Sequence, residues 1–190
     1  MAEIFTVGHS THPIGDLIAM LRSHGVEHLV DVRSIPRSRY CPQFNLDRLR
    51  QSIPTGGLEY SHIRGLGGRR KALKPEVSLN NGWRSASFRG YGDYMQTPQF
   101  ATAVEWLEEL ARASVVAIMC AEAVPWRCHR SMLADALIVR GWSVWDIMSR
   151  SVRRPAELTS FAQVHGTEIT YPSSEVPPFP VTNTHAALAS

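Results

Sequence analysis

The sequence has no apolar run approaching the roughly 20 residues that a membrane-spanning helix needs, so no segment of it is expected to cross a bilayer. Cysteine is scarce, at 3 of 190 residues. An odd number with no paired framework excludes a disulfide scaffold and points to a reducing interior. Glu3, Gly8, His9 and His12 interrupt any signal-peptide h-region, so a cytoplasmic location is expected. No cofactor fingerprint occurs: Gly65 to Gly68 is followed by no Lys-Ser/Thr pair and by no well-formed helix, so those glycines do not form a nucleotide phosphate loop. No internal repeat stands out beyond two similar strand–helix–strand units. What remains is ordinary for a globular protein, with 44% hydrophobic residues and a length suited to one core. The expected organisation is a single domain over residues 1–150, followed by an extension over 151–190 that ends in a proline-rich tail from Ser173.

Acidic residues are also missing from one long stretch. Between Arg33 and Arg89 there are 12 Lys+Arg against Asp47, Glu59 and Glu76, a local charge of +9. The whole chain carries only +3, so the remainder is acidic at −6. A basic segment on a nearly neutral chain suggests a surface for phosphates or another polyanion; a solvated loop region would have the same composition.

The organising stretch runs from Val115 to Met148. Val115 to Met119 is an apolar, partly β-branched run that reads as a buried strand. A polar loop with Cys120, Glu122, Pro125 and Arg127 follows. A helix is predicted from near Cys128, with Met132, Leu133, Ala136 and Leu137 on one face and Gly141 at its end, and a strand from Trp142 to Met148. Near the N-terminus, Glu3 to Val7, a helix carrying Ile14, Leu17, Ile18 and Leu21 and closed by Gly25, and Val26 to Arg33 repeat that layout. Both units bring polar residues to the same edge of a sheet, where α/β proteins bind ligands. Between them the sequence predicts a helix over Leu46 to Ile53 broken at Pro54, a strand over Leu58 to Ile63, and a long irregular stretch to about Ser87 that is functional or disordered. A helix over Phe88 to Met95 and a strongly amphipathic one begun by Thr97 and Pro98 follow. Phe161 to Tyr171 suggests a helix end and a strand. The fold class is α/β: three layers about a mainly parallel sheet, Rossmann-like or rhodanese-like.

Nine residues are candidates for chemistry at the shared edge. Cys120, at a strand end facing a helix start with Arg127 and Arg130 near, is a possible thiolate nucleophile. A buried inert cysteine is the alternative. The layout is similar to rhodaneses and cysteine phosphatases, but Glu122 places negative charge in the loop, Pro125 donates no N–H, and Cys120 to Arg127 is one residue longer than C-x5-R. Glu122 is an acid/base or an ion-pair partner. Cys128 and His129 diverge at a helix start, and among Cys120, Glu122, Cys128 and His129 neither C-x2-C nor H-x3-H spacing occurs, so no metal is expected. The Cys-Ala-Glu and Pro-x-x-Cys elements are too close together, and in the wrong order, for a zinc deaminase. His9 and His129 are placed with Cys120 and Glu122 as catalytic candidates. Ser10, Asp31, Arg33, Arg127 and Arg130 are placed as anion-binding candidates, with helix capping as the alternative role for Ser10 or Thr11. Tyr40, Phe44, Trp83 and Tyr91 lie among the arginines, either to stack bases or as core pegs.

Several of these segments together resemble the family described as domain of unknown function 488. They are Thr6-Val-Gly-His-Ser10, Leu29-Val-Asp-Val-Arg33 with Pro36 and Ser38, Leu66-Gly-Gly68, Phe88 with Tyr91 and Met95, and Met119-Cys-Ala-Glu122 followed by Cys128-His-Arg130. They span about residues 4 to 148. The resemblance implies an α/β fold with one shared cleft. The family usually carries Val-x-His-Ile in its last strand, whereas Val144-Trp-Asp-Ile147 has Asp146 at the histidine position. Three functions follow as expectations: an enzyme acting on an anionic substrate such as a nucleotide or nucleic acid; a non-catalytic nucleic-acid-binding module using the basic 33–89 segment; or sulfur transfer through Cys120.

Overall fold

Buried side chains alternate along each strand between two faces, and that alternation decides the architecture. In the computed structural model, which describes residues 2–173, β1 (Glu3–Gly8), β2 (His28–Asp31), β3 (Glu59–His62), β4 (Val116–Cys120), β5 (Ser143–Ile147) and β6 (Arg153–Pro155) form one sheet in the order β3-β2-β4-β1-β5-β6. All neighbours are parallel except β5 and β6. One face carries Phe5, Val7, Leu29, Ala117 and Met119 into a core with α1 (Ile14–Ser23) and α2 (Leu46–Thr55). The other carries Ile4, Val30, Ile118 and Cys120 into a core with α4 (Pro98–Ala113) and α5 (Arg130–Ile138). α3 (Ala86–Met95) joins that second layer through Tyr91. The protein is a three-layer α/β fold with a mostly parallel central sheet. Because the inner strands are covered on both sides, they read as continuous apolar runs rather than as alternating ones.

The two strand–helix–strand units are not built from adjacent strands. β4 is inserted between β1 and β2, and β1 lies between β4 and β5. Thr97 caps α4 by accepting a hydrogen bond from the Phe100 N–H at 3.3 Å. The helix buries Phe100, Val104 and Leu107, each worth roughly 1.5–3 kcal/mol of transfer free energy.

Several boundaries differ from the sequence expectation. α2 continues through Pro54, whose fixed φ suits a helix, and ends at Gly56. α3 starts two residues before Phe88. α5 starts at Arg130, because Cys128 is extended and His129 only flanks the helix. The segment from Phe161 to Tyr171 contains no helix. It forms the hairpin β7 (Gln163–His165) and β8 (Glu168–Thr170), turned at Gly166 with a φ of 62°. The predicted tail lies, apart from Ser173, outside the described residues.

Candidate functional site

Winding direction reverses between β1 and β4. From β1 the chain passes through α1 toward β2, and from β4 it passes through α5 toward β5, on the other face and in the opposite direction. Neither connection covers the carboxyl ends of these two strands, which is where open α/β sheets bind ligands. The ends are tied together by their backbones: the His9 N–H donates to the Cys120 carbonyl at 2.9 Å and the Ser10 N–H to the Ala121 carbonyl at 3.0 Å. Gly8 makes this closeness possible, since a Cβ there would sit 2.0 Å from the Glu122 carbonyl oxygen. Ser10 turns the chain in a left-handed conformation, φ 45°. Capping by Ser10 or Thr11 does not occur: α1 begins behind Pro13 with no side-chain cap.

A cavity of about 710 Å³ opens at this edge. His9, Arg33, Cys120, Glu122, Arg127 and His129 all line it, together with Cys128. Residues from the beginning and the final third of the chain therefore share one wall. Ser10, Asp31 and Arg130 do not line it. Asp31 and Arg130 instead stand behind residues that do.

Asp31 fixes Arg33. The guanidinium donates from Nε and Nη2 to the two carboxylate oxygens at 2.9 and 2.6 Å, and Nη2 also donates to the Phe44 carbonyl at 2.7 Å. Tyr60 adds its hydroxyl to the same carboxylate at 3.0 Å. The remaining Arg33 nitrogen, Nη1, donates to His9 Nε2 at 3.1 Å, while His9 Nδ1–H donates to the Ser10 carbonyl and the ring stacks on Phe44. With one nitrogen accepting from a cation, His9 is a neutral imidazole. Burial, opposed in part by the Ser10 hydrogen bond, brings its pKa down to about 4.

Arg130 organises the thiols. It is 1% exposed and, among the described residues, forms no ion pair with a carboxylate. Nε donates to Cys120 Sγ at 3.1 Å, Nη1 to the Thr6 hydroxyl at 3.0 Å and Nη2 to the Glu122 carbonyl at 2.6 Å. Asp146 is one hydroxyl further away, accepting from Thr6 at 2.5 Å. Burial raises the pKa of Asp146. Cys120 and Cys128 are both free, with sulfurs 2.6 Å apart. Two sulfurs so close beside a buried cation hold one proton between them. Their shared hydrogen bond lowers the Cys128 thiol and pushes Cys120 up. His129 Nδ1 lies 3.4 Å from the Cys128 sulfur, and Nε2 lies 3.1 Å from the Val32 carbonyl, which can only accept, so the ring proton is on Nε2. Nδ1 is therefore bare and faces the sulfur. Burial holds this ring neutral as well.

The outer wall is cationic. Arg37, Arg69, Arg70 and Lys71 join Arg33 and Arg127, leaving Glu122 as the one carboxylate among the lining residues. Arg70 is anchored, donating to the Gly65 and Gly67 carbonyls at 2.9 Å and lying 3.5 Å over the Tyr94 ring. The irregular stretch that carries these residues is held from α3. Asp93 accepts from the Leu73 N–H, the Ser78 hydroxyl and the Asn80 amide at 2.6–2.9 Å. Gly68 allows the loop to lie on the site, since a Cβ there would be 2.5 Å from His129 Nδ1. The aromatic residues are mostly packed: Phe44 and Tyr91 are fully buried, and Trp83 contacts Phe88, Phe161 and Tyr171. Tyr40 is the exception, at 97% exposed.

In the sequence, Arg37, Arg69, Arg70 and Lys71 stand out only through the local charge of +9. Nothing in their spacing indicates which of 12 basic residues turn toward the cavity. Among the described residues, no three His, Cys, Asp or Glu side chains are grouped as metal ligands, and no helix is long and apolar enough to cross a membrane.

A family model described as domain of unknown function DUF488 matches residues 13–137. That range contains Cys120, Glu122 and Cys128 to Arg130, but not His9 or Asp146. No curated protein and no solved structure gives a significant match to the chain.

Proposed function

The chain belongs to the family described as domain of unknown function DUF488, and from that membership and the cavity's chemistry we propose that it is an enzyme acting on an anionic substrate of the nucleotide or nucleic-acid class through a cysteine thiolate. One observation carries the reading: a thiol pair 2.6 Å apart, next to a buried arginine, opens into a cavity whose wall has six cations and one carboxylate. Arg37, Arg69, Lys71 and Arg127 bind the anion, because they line the cavity and no ion pair among the described residues engages them. The nucleophile is Cys128, whose thiolate is stabilised by Cys120 and Arg130. His129 stays neutral and turns Nδ1 to the Cys128 sulfur at 3.4 Å, and Glu122 serves as acid/base toward the substrate. His9 and Arg33, engaged with each other and with Asp31, position the wall. In this reading Cys120, a possible nucleophile from the sequence, is the partner that lowers its neighbour.

Alkylation tests this. The rate of iodoacetamide reaction at Cys128, followed by peptide mass spectrometry, is expected to rise with a midpoint below the ordinary thiol range. ATP, pyrophosphate or a single-stranded oligonucleotide should slow it. A midpoint in the ordinary thiol range, roughly 8.5, or no protection by any of the three anions, overturns the reading.

The exposed Tyr40, beside Arg39 and close to Arg37 in sequence, favours a second reading, non-catalytic binding of a single strand by stacking and charge. In that case oligonucleotide affinity falls steeply with salt and is the same in wild type and in C128S.

A further inference from the structure

Cys120 and Cys128 occupy the end of β4 and the residue two before α5, and the chain between them, Ala121 to Arg127, loops out and returns. Their sulfurs are already 2.6 Å apart, about half an ångström more than the 2.03–2.05 Å of an S–S bond. Both line the cavity, so a small oxidant reaches them. Cys41, the third cysteine, belongs to the core on the other face of the sheet and has no part in the pair. We propose that Cys120 and Cys128 are a reversible dithiol/disulfide couple, oxidised by a hydroperoxide that enters the cavity.

The chemistry balances in two steps. The Cys128 thiolate attacks the distal oxygen of the hydroperoxide. An S–O bond forms, the O–O bond breaks, and the departing alkoxide or hydroxide takes a proton from solvent to leave as alcohol or water, giving a sulfenic acid at Cys128. The Cys120 sulfur then attacks the Cys128 sulfur. An S–S bond forms, the S–O bond breaks, and the hydroxide leaves with the Cys120 proton as water. Overall, two thiols lose two electrons and two hydrogens to one hydroperoxide. Return to the dithiol requires an external thiol by ordinary thiol–disulfide exchange.

The surroundings favour this sequence. The Arg130 guanidinium donates to Cys120 at 3.1 Å and the Arg130 backbone N–H to Cys128 at 3.5 Å, so a donor faces whichever sulfur carries the negative charge. The resolving thiol needs no rearrangement to reach its target, and that proximity suppresses further oxidation of Cys128. In a reducing compartment such a bond is transient, the form that redox-sensing and catalytic disulfides take. The inference rests on the sulfur geometry and holds whether or not the cavity turns over an anionic substrate.

The test uses the full chain. After brief treatment with equimolar hydrogen peroxide, followed by quenching and denaturation, titratable thiols are expected to fall from three to one. Peptide mapping should place one intramolecular bond between Cys120 and Cys128, and dithiothreitol should restore all three thiols. A Cys41→Ser chain should fall from two thiols to none. Three surviving thiols, a bond that includes Cys41, or sulfinic acid at Cys128 with Cys120 still free overturns the proposal. In Cys120→Ser, the Cys128 sulfenic acid should persist and be trapped by dimedone, whereas wild type should trap little; equal trapping in the two counts against Cys120 as the resolving thiol.

Discussion

Thr6 and Arg130, 124 residues apart, meet within the sheet: Arg130 Nη1 donates to the Thr6 hydroxyl at 3.0 Å, and that hydroxyl donates onward to Asp146. Asp146 therefore reaches this cation only through an intervening hydroxyl. The negative charge in direct contact with it is the one shared by Cys120 and Cys128. The thiolate needs the guanidinium, and the guanidinium needs the thiolate.

That mutual dependence predicts the effect of Arg130→Met. Without the cation, the charged form of the pair loses its main electrostatic support, while burial continues to oppose ionisation. The pH midpoint of Cys128 alkylation is expected to rise by about one unit or more, given the 1–3 units that an adjacent arginine typically supplies. Arg130→Lys, which keeps charge but loses the fork reaching Thr6, Cys120 and Glu122 together, should give an intermediate midpoint. If both variants titrate as wild type does, Arg130 is not what sustains the thiolate.

Asp31 and Arg33 form the second buried charge pair, and their contribution to stability should depend strongly on which partner is removed. Asp31→Asn leaves a guanidinium that is 7% exposed facing a neutral amide. Removing one partner of a buried pair costs about 3–5 kcal/mol, read as a lowered urea midpoint at unchanged m-value. The double variant Asp31→Asn with Arg33→Met should recover part of that loss, because the uncompensated charge is gone. A double variant no more stable than Asp31→Asn would show that the pair's packing, not its charge, matters.

The layers and the ligand-binding edge were legible because they follow from local patterns. The short, partly β-branched apolar run over Val115 to Met119 reads as a strand covered on both faces, and the stripe from Phe100 to Leu110 reads as a helix lying on a core. The strand order was not legible, since nothing in β1 says that β4 will be inserted beside it. In the site, Cys120, Cys128 and His129 stand out as chemically active types at an element boundary. Their contact is a tertiary fact: the 2.6 Å separation depends on how far the Ala121 to Arg127 loop bulges, and no spacing rule encodes that. The same limit applies to Arg33 and Arg130, whose residue type suggests anion binding but whose donors are engaged by Asp31, Phe44, Thr6 and Glu122.

Acid should destabilise the protein through His9. Its folded pKa of about 4 lies below the 6.5 of the unfolded chain, so between those values the unfolded state binds more protons. Stability is then complete above about pH 6.5 and falls as pH drops toward 4, by up to about 3 kcal/mol at 1.36 kcal/mol per unit. His28 and His129, lowered in the same direction by burial, add to the same slope. His9→Gln keeps a donor for the Ser10 carbonyl and an acceptor for Arg33 but cannot titrate. Its urea-denaturation stability should therefore decline less between pH 6.5 and 4.5 than that of wild type; an equal decline would assign the slope to the other two histidines.

Two glycine-to-alanine changes should have opposite signs, and the comparison isolates what closes the site. At Gly15, on the exposed side of α1, a Cβ meets nothing within 4 Å, so alanine gains about 1 kcal/mol of helix propensity. At Gly8 the Cβ would be 2.0 Å from a backbone oxygen and 2.7 Å from the Ala123 Cα. Backbone cannot rotate away as a side chain can, so the 121–123 loop must move. That displaces the Glu122 carbonyl from Arg130 and strains the backbone bonds joining His9 to Cys120 and Ser10 to Ala121. Overpacking of this kind typically costs about 1–3 kcal/mol, and each kcal/mol lowers Tm by roughly 2–4 °C at this chain length. Gly8→Ala should thus melt below wild type and Gly15→Ala above it. Gly8→Ala should also alkylate at Cys128 with a higher pH midpoint, because the loop that holds Arg130 against the sulfurs has moved. A lower Tm with an unchanged midpoint would separate the strand junction from the thiol chemistry and leave Gly8 a purely structural role.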